Sequence, residues 1–149
     1  DYKQCEALMG TAKNKTAGKP LGNNTRLYES GKDYVVVLYS TEIVRFRPDG
    51  SVVICTGHYP TRTTKTRIRQ ISNYRVSTPQ WKEWTITSPQ GIVDVYQGYW
   101  SSDSEERSMW KGCRFDSSAS FEDKRAGRLV FEDWLRDKGR EPVAYGFRG

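Results

Sequence analysis

YVVVLYSTEIVRFRPDGSVVIC, residues 34–55, is the stretch whose reading decides the fold. Residues 34–39 are an unbroken β-branched and aromatic run, the pattern of a central strand buried on both faces. Residues 43–47 alternate instead. Ile43 faces one way with Arg45 and Arg47, while Val44 and Phe46 face the other way and belong to the core. Pro48-Asp49-Gly50 is a hairpin turn, with proline fixing φ and glycine free to take positive φ. Residues 51–55 return as the next strand. Towards the N-terminus, residues 25–29 form an earlier strand, joined by the turn Ser30-Gly31-Lys32-Asp33. Together these make an antiparallel meander of about four strands.

Beyond the meander the period changes. Residues 61–72 read as a short basic helix, with Thr63 or Thr64 as its cap and Ile68 and Ile71 on one face. Residues 81–87 and 92–97 are two further strands, joined by Ser88-Pro89-Gln90-Gly91. Residues 99–107 are polar and acidic and read as a surface loop. The C-terminal helix is the clearest element. Ser120 caps it, Glu122 and Asp123 suit its N-terminal dipole, and Phe121, Leu129, Val130, Phe131, Trp134 and Leu135 form an apolar stripe. Gly139 stops it, and Gly127 within it marks a close packing contact. Residues 2–9 read as a short helix with Cys5, Leu8 and Met9 on one side, and residues 10–24 as a basic arm. The expected fold is therefore α+β: an antiparallel meander with a short basic helix and a C-terminal amphipathic helix packed on it. Residues 1–24 form an N-terminal arm, and residues 25–149 a single domain.

With 149 residues the chain suits one core. Only 36% of residues are hydrophobic, but 13% are aromatic, so large rings carry much of the burial. Cys5, Cys55 and Cys113 are odd in number, far apart and accompanied by one histidine, His58. They read as reduced thiols rather than a disulfide framework or a zinc site. No apolar run is long enough to span a membrane, and no apolar segment of a secretory signal follows the N-terminus. These features point to an intracellular protein without metal or cofactor.

Charge is the main functional clue. Residues 1–82 hold 14 Lys and Arg against 6 Asp and Glu, a net +8, whereas residues 83–149 net −2. From Ser51 to Lys82 there is no acid at all. Arg62, Lys65, Arg67, Arg69 and Arg75 lie there with Tyr59, Tyr74 and Trp81 among them. Cations neutralise phosphates and aromatic faces stack bases. Thr63 and Thr64, near free amides at a helix start, suit phosphate oxygens. These ten residues are the expected binding surface. The competing reading is a solvated face neutralised by the acidic half, through Asp116, Glu122, Asp123, Glu132 and Asp133.

The elements Gly22-Asn23-Asn24-Thr25, Pro48-Asp49-Gly50-Ser51 and Thr61-Arg62-Thr63-Thr64-Lys65-Thr66-Arg67-Ile68 occur in an order that resembles a group of small bacteriophage-encoded proteins. The resemblance covers about residues 21–97 and includes the later Ser88-Pro89-Gln90-Gly91 hairpin. His58-Tyr59 departs from that group, which carries a glycine and then an aromatic residue there. The resemblance implies a viral protein acting in the host cytoplasm, and implies no particular chemistry.

No catalytic constellation stands out. His58 sits in a turn context, without a nucleophile-elbow sequence anywhere in the chain. Asp133 and Asp137 share a helix face but are surrounded by Arg136 and Lys138. The sequence therefore favours a non-catalytic nucleic-acid-binding protein. The alternative is a phage inhibitor that binds a host defence or nucleic-acid-processing complex.

Overall fold

Strand β3 (Asp33–Leu38) and strand β4 (Thr41–Phe46) pair at the centre of a six-stranded antiparallel sheet. The computed structural model describes residues 1–10, 18–22, 24–56, 61–80, 83–113 and 120–143. The sheet order is β1 (Lys19–Gly22), β2 (Thr25–Ser30), β3, β4, β5 (Val52–Cys55) and β9 (Tyr99–Ser101). A second, three-stranded antiparallel sheet follows the order β6 (Arg75–Ser77), β7 (Thr85–Thr87), β8 (Val93–Val95). Four helices complete the fold: α1 (Tyr2–Gly10), α2 (Arg62–Ser72), α3 (Ser104–Cys113) and α4 (Phe121–Asp137). The architecture is α+β, as expected.

The large sheet is covered on both faces, which explains the unbroken apolar run of β3. On one face Leu27, Val36, Val44, Phe46 and Ile54 meet Cys5 and Met9 of α1 and Ile68 of α2. On the other, Val53, Cys55 and Tyr99 meet Trp110 of α3 and Phe131 and Leu135 of α4. The second core is built from rings. Tyr99 lies 4.7 Å from Trp110 and 5.3 Å, edge-on, from Phe131.

Strand β4 holds the departure from simple alternation. Val36 pairs with Val44, but Val37 pairs with Glu42, so Ile43 is an extra residue in the ladder. This bulge turns Ile43 into the first core beside Val44 and Phe46, where the alternating reading had placed it with the arginines. It also brings Glu42 and Arg45 onto one face, where they pair at 2.6 Å.

Arg45 and Arg47 are buried, with 3% and 2% of their surface exposed. Arg45 bonds Asp33 at 2.7 Å as well as Glu42. Arg47 donates through Nη1 to Glu106 of α3, whose other oxygen accepts from the Tyr99 hydroxyl at 2.8 Å. Arg140, just past α4, bonds Glu106 at 3.2 Å, Asp49 at 3.1 Å and Asp103. Asp103 also accepts from the amides of Glu105 and Glu106 and so caps α3. Thus the hairpin of Pro48-Asp49-Gly50, β4, α3 and the end of α4 are tied by one polar network.

Several expectations need correction. Residues 99–107 are not a surface loop: Tyr99–Ser101 is strand β9, paired with β5, and Ser104 begins α3. Tyr99 and Trp100 insert into opposite cores, which their short polar surroundings concealed. Lys19–Gly22 of the supposed arm is an edge strand paired with β2. The α4 stripe is narrower than expected. Phe131 and Leu135 are fully buried, but Phe121, Leu129 and Val130 are exposed. Gly127 is buried, as a close contact requires. Among the described residues no helix is long and apolar enough to cross a membrane.

Two outcomes follow from the network. Glu106→Gln leaves the buried Arg47 charge without its partner and destabilises by about 3–5 kcal/mol in urea unfolding, whereas Arg47→Met combined with Glu106→Leu costs less than the single change. The second outcome concerns acid. Burial raises the pKa of Asp103, but bonds from Arg140 and the Glu106 and Glu105 amides outweigh it and hold the group below the ordinary aspartate value. Asp49 is lowered against burial by Ser51 and Arg140, and Asp94 by Trp100 and Lys111. A carboxylate with a depressed folded pKa contributes stability above its unfolded value of about 3.9, and that contribution is lost as pH falls through the folded value. The urea midpoint is therefore flat from neutrality to about pH 5 and falls below about pH 4.

Candidate nucleic-acid interface

Helix α2 positions most of the basic residues. Its cap lies two residues earlier than the expected Thr63. Thr61 is the N-cap, and its Oγ1 accepts from the Thr64 amide at 3.1 Å. At the other end Asn73 takes a left-handed conformation, φ 63°, and its amide donates to the Arg69 carbonyl. Thr64 and Ile68 are buried, and Ile71 packs against the same core. With 3.6 residues per turn, that buried stripe leaves Arg62, Thr66 and Arg69 on the opposite side. Lys65 and Arg67 fall on the two flanks.

The flanking cations are held by neutral partners. Lys65 donates to the Thr78 hydroxyl at 2.8 Å, and Arg67 to the Gln70 carboxamide at 3.3 Å. The Arg67 guanidinium lies close over Gly22, where a β-carbon would come within 3.2 Å of Nη1. Arg75 is exposed on β6, the strand that follows α2. Beside Arg67 and Gln70 a cleft of about 290 Å³ opens between α2 and α1, with Leu8, Leu21, Leu27 and Ile71 among its lining.

The structure thus places Arg62 and Arg69 on the outer side of α2, Thr63, Lys65 and Arg67 on its flanks, and Arg75 on the strand that follows. It separates two others from them. Tyr74 is a core residue, its ring 5.5 Å from Trp100, and so is not available to stack a base. Thr64 is buried with its hydroxyl 3.0 Å from that of Thr61, so it serves the cap rather than a phosphate. Tyr59 and Trp81 lie outside the described residues, as does His58.

The acidic residues expected to neutralise α2 are elsewhere. Glu122, Asp123, Glu132 and Asp133 belong to α4, which packs on the opposite face of the sheet. Glu132 pairs with Arg128 at 3.3 Å, and Asp133 with Arg136 at 3.2 Å. Asp116 lies outside the described residues. Among the described residues no carboxylate comes within 4.0 Å of the charged groups of Arg62, Lys65, Arg67, Arg69 or Arg75. The helix start near residue 61 is as expected, but Thr61 as its cap was missed, because three threonines compete for that role in the sequence.

Comparison with protein-family models, with curated proteins and with solved structures finds no match for this chain.

Thr61→Ala removes the cap and lowers stability by about 1 kcal/mol. Thermal unfolding of the variant reads the loss directly, and Thr61→Ser retains the wild-type midpoint.

Proposed function

We propose that this is a non-catalytic bacteriophage-type protein that binds nucleic acid through the outer face of α2 and the adjoining Arg75. One observation carries the reading. Five cations lie on α2 and the strand after it, Arg62 and Arg69 on the outer face, and no carboxylate among the described residues pairs with them, although the chain has 18 acids and uses them freely elsewhere.

Local stability does not account for the arrangement. Arg62 occupies the first position of α2, and the first turn contains no acid. A cation there opposes the helix dipole, by about 0.3–1 kcal/mol at an exposed end. An anion approaching from outside would reverse that penalty, because the same dipole and free amides attract it. Exposed Thr63 supplies a hydroxyl in the same turn. The contacts available are to phosphates, so the binding is driven by charge and carries no base sequence. The resemblance to phage proteins supports a viral setting in the host cytoplasm. The same face fits an acidic surface of a host protein complex, the second reading that the charge pattern allows.

Filter binding of a labelled oligonucleotide across a salt series tests the proposal. The expected result is a linear fall of log affinity with log salt. Changing Arg62 and Arg69 together to Glu weakens binding at every sequence and reduces that slope by about one for each phosphate no longer neutralised. Lys124→Ala, on the opposite layer, leaves both unchanged. Absence of any binding at low ionic strength sinks the nucleic-acid reading. A stoichiometric host protein that co-purifies after nuclease treatment, and does not do so with the double variant, establishes the second reading.

A further inference from the structure

Helix α4 buries one side, leaves Leu129 on the other, and carries Phe121 and Val130 on its flanks. Gly127, Phe131 and Leu135 face the core, while Phe121, Leu129 and Val130 are 59%, 55% and 52% exposed. Leu129 precedes Phe131 by two positions, about 200° around the helix, so its side chain points away from the sheet. Small exposed Ala126, one turn earlier, leaves room for close approach beside it.

The charges around Leu129 are ordered. Four residues before it stands Arg125, and four after it Asp133. Seven residues before it stands Glu122, and seven after it Arg136. All four are exposed, and at these spacings they share the outward side of the helix with Leu129. The sequence outward from Leu129 is therefore plus then minus in one direction, and minus then plus in the other.

Such a face is complementary to itself only when reversed. An antiparallel second copy centred on Leu129 sets each position against the one equally far on the other side. Arg125 then meets the partner's Asp133, and Glu122 meets the partner's Arg136, with both contacts repeated by the two-fold axis. Leu129 meets the partner's Leu129 at the centre. A parallel copy would instead oppose Arg125 to itself and Asp133 to itself. We propose that the outer face of α4 is the interface of a homodimer, formed by antiparallel pairing of this helix across a two-fold axis at Leu129.

The proposal is independent of the binding face on α2, which lies in the opposite layer. The present partners of the charged groups do not obstruct it. Arg136 pairs with Asp133 at 3.2 Å and with Glu132 at 3.7 Å, and Arg125 lies 5.3 Å from the Phe121 ring. Arg125, Asp133 and Arg136 are exposed, and such surface contacts exchange at little cost. One helix pair buries less than the roughly 1,200 Å² of a stable interface, so the dimer is weak and depends on concentration. Two copies joined this way turn their α2 faces outward, which makes any ligand contact there bivalent.

Sedimentation velocity over a wide concentration range tests the geometry. The expected result is a monomer–dimer equilibrium that Leu129→Asp weakens by at least about tenfold, with the circular dichroism spectrum unchanged. Arg125→Asp and Asp133→Arg each weaken it as single changes, and the two together restore it, because the reversed charges again meet in the same register. Three outcomes overturn the proposal: a monomer at every concentration, a dimer that Leu129→Asp does not move, or a double charge reversal no tighter than either single one.

Discussion

Two arginines, Arg45 on β4 and Arg47 just past its end, dictate how the rest of the molecule is arranged. Each guanidinium is buried, a costly placement that opposite charges offset, while the Nε and Nη2 of Arg47 find no hydrogen-bond partner among the described residues. Asp33 and Glu42 answer Arg45 from within the meander. Arg47 is answered from far along the chain, by Glu106 of α3, which Tyr99 and Arg140 hold in place. The C-terminal layer is thus more than an apolar cover. It carries the counter-charges that let this face of the sheet be buried at all. The rings of Tyr99, Trp110 and Phe131 then exclude water around the network, which strengthens its electrostatics.

That arrangement also sorts charge across the molecule. The acids of the C-terminal half are used on their own layer, capping α3, bonding the buried arginines or pairing along α4. The sheet stands between them and α2. Cations on α2 are left with hydroxyl and carboxamide neighbours, and the basic face keeps its field. A net charge of +6 therefore understates the local contrast between the two layers.

The meander was legible because its signals are local. The β3 run, the Pro48-Asp49-Gly50 turn and the return strand each follow from residue type within a few positions. The turn forms as expected, with Gly50 at φ 92° and Asp49 accepting from Ser51. Strand β9 was not legible, since three residues carry no period and their pairing with β5 is made across more than forty intervening positions. Nor was the burial of Arg45 and Arg47, because an arginine on an alternating strand ordinarily marks the solvent face. Its partners become visible only when α3 is in place. On α2, charge and helical spacing identified the outward cations. The same pattern did not reveal that Tyr74 turns inward to Trp100, a choice made by tertiary packing. For α4 the sequence shows an apolar excess but not its division between an inner side and an outer one.

The bulge at Ile43 acts as a phase shift written into the strand. Residues on either side of it obey opposite rules of alternation, so the faces of β4 follow only when the extra residue is counted. Closing the bulge without losing a residue would restore strict alternation through β4. It would then drive the Glu42 carboxylate towards the apolar core of Val44 and Phe46, and take from Arg45 its nearest counter-charge. Side chains around this point can be exchanged, but at its present length the strand must bulge between Glu42 and Val44 for both to reach their faces.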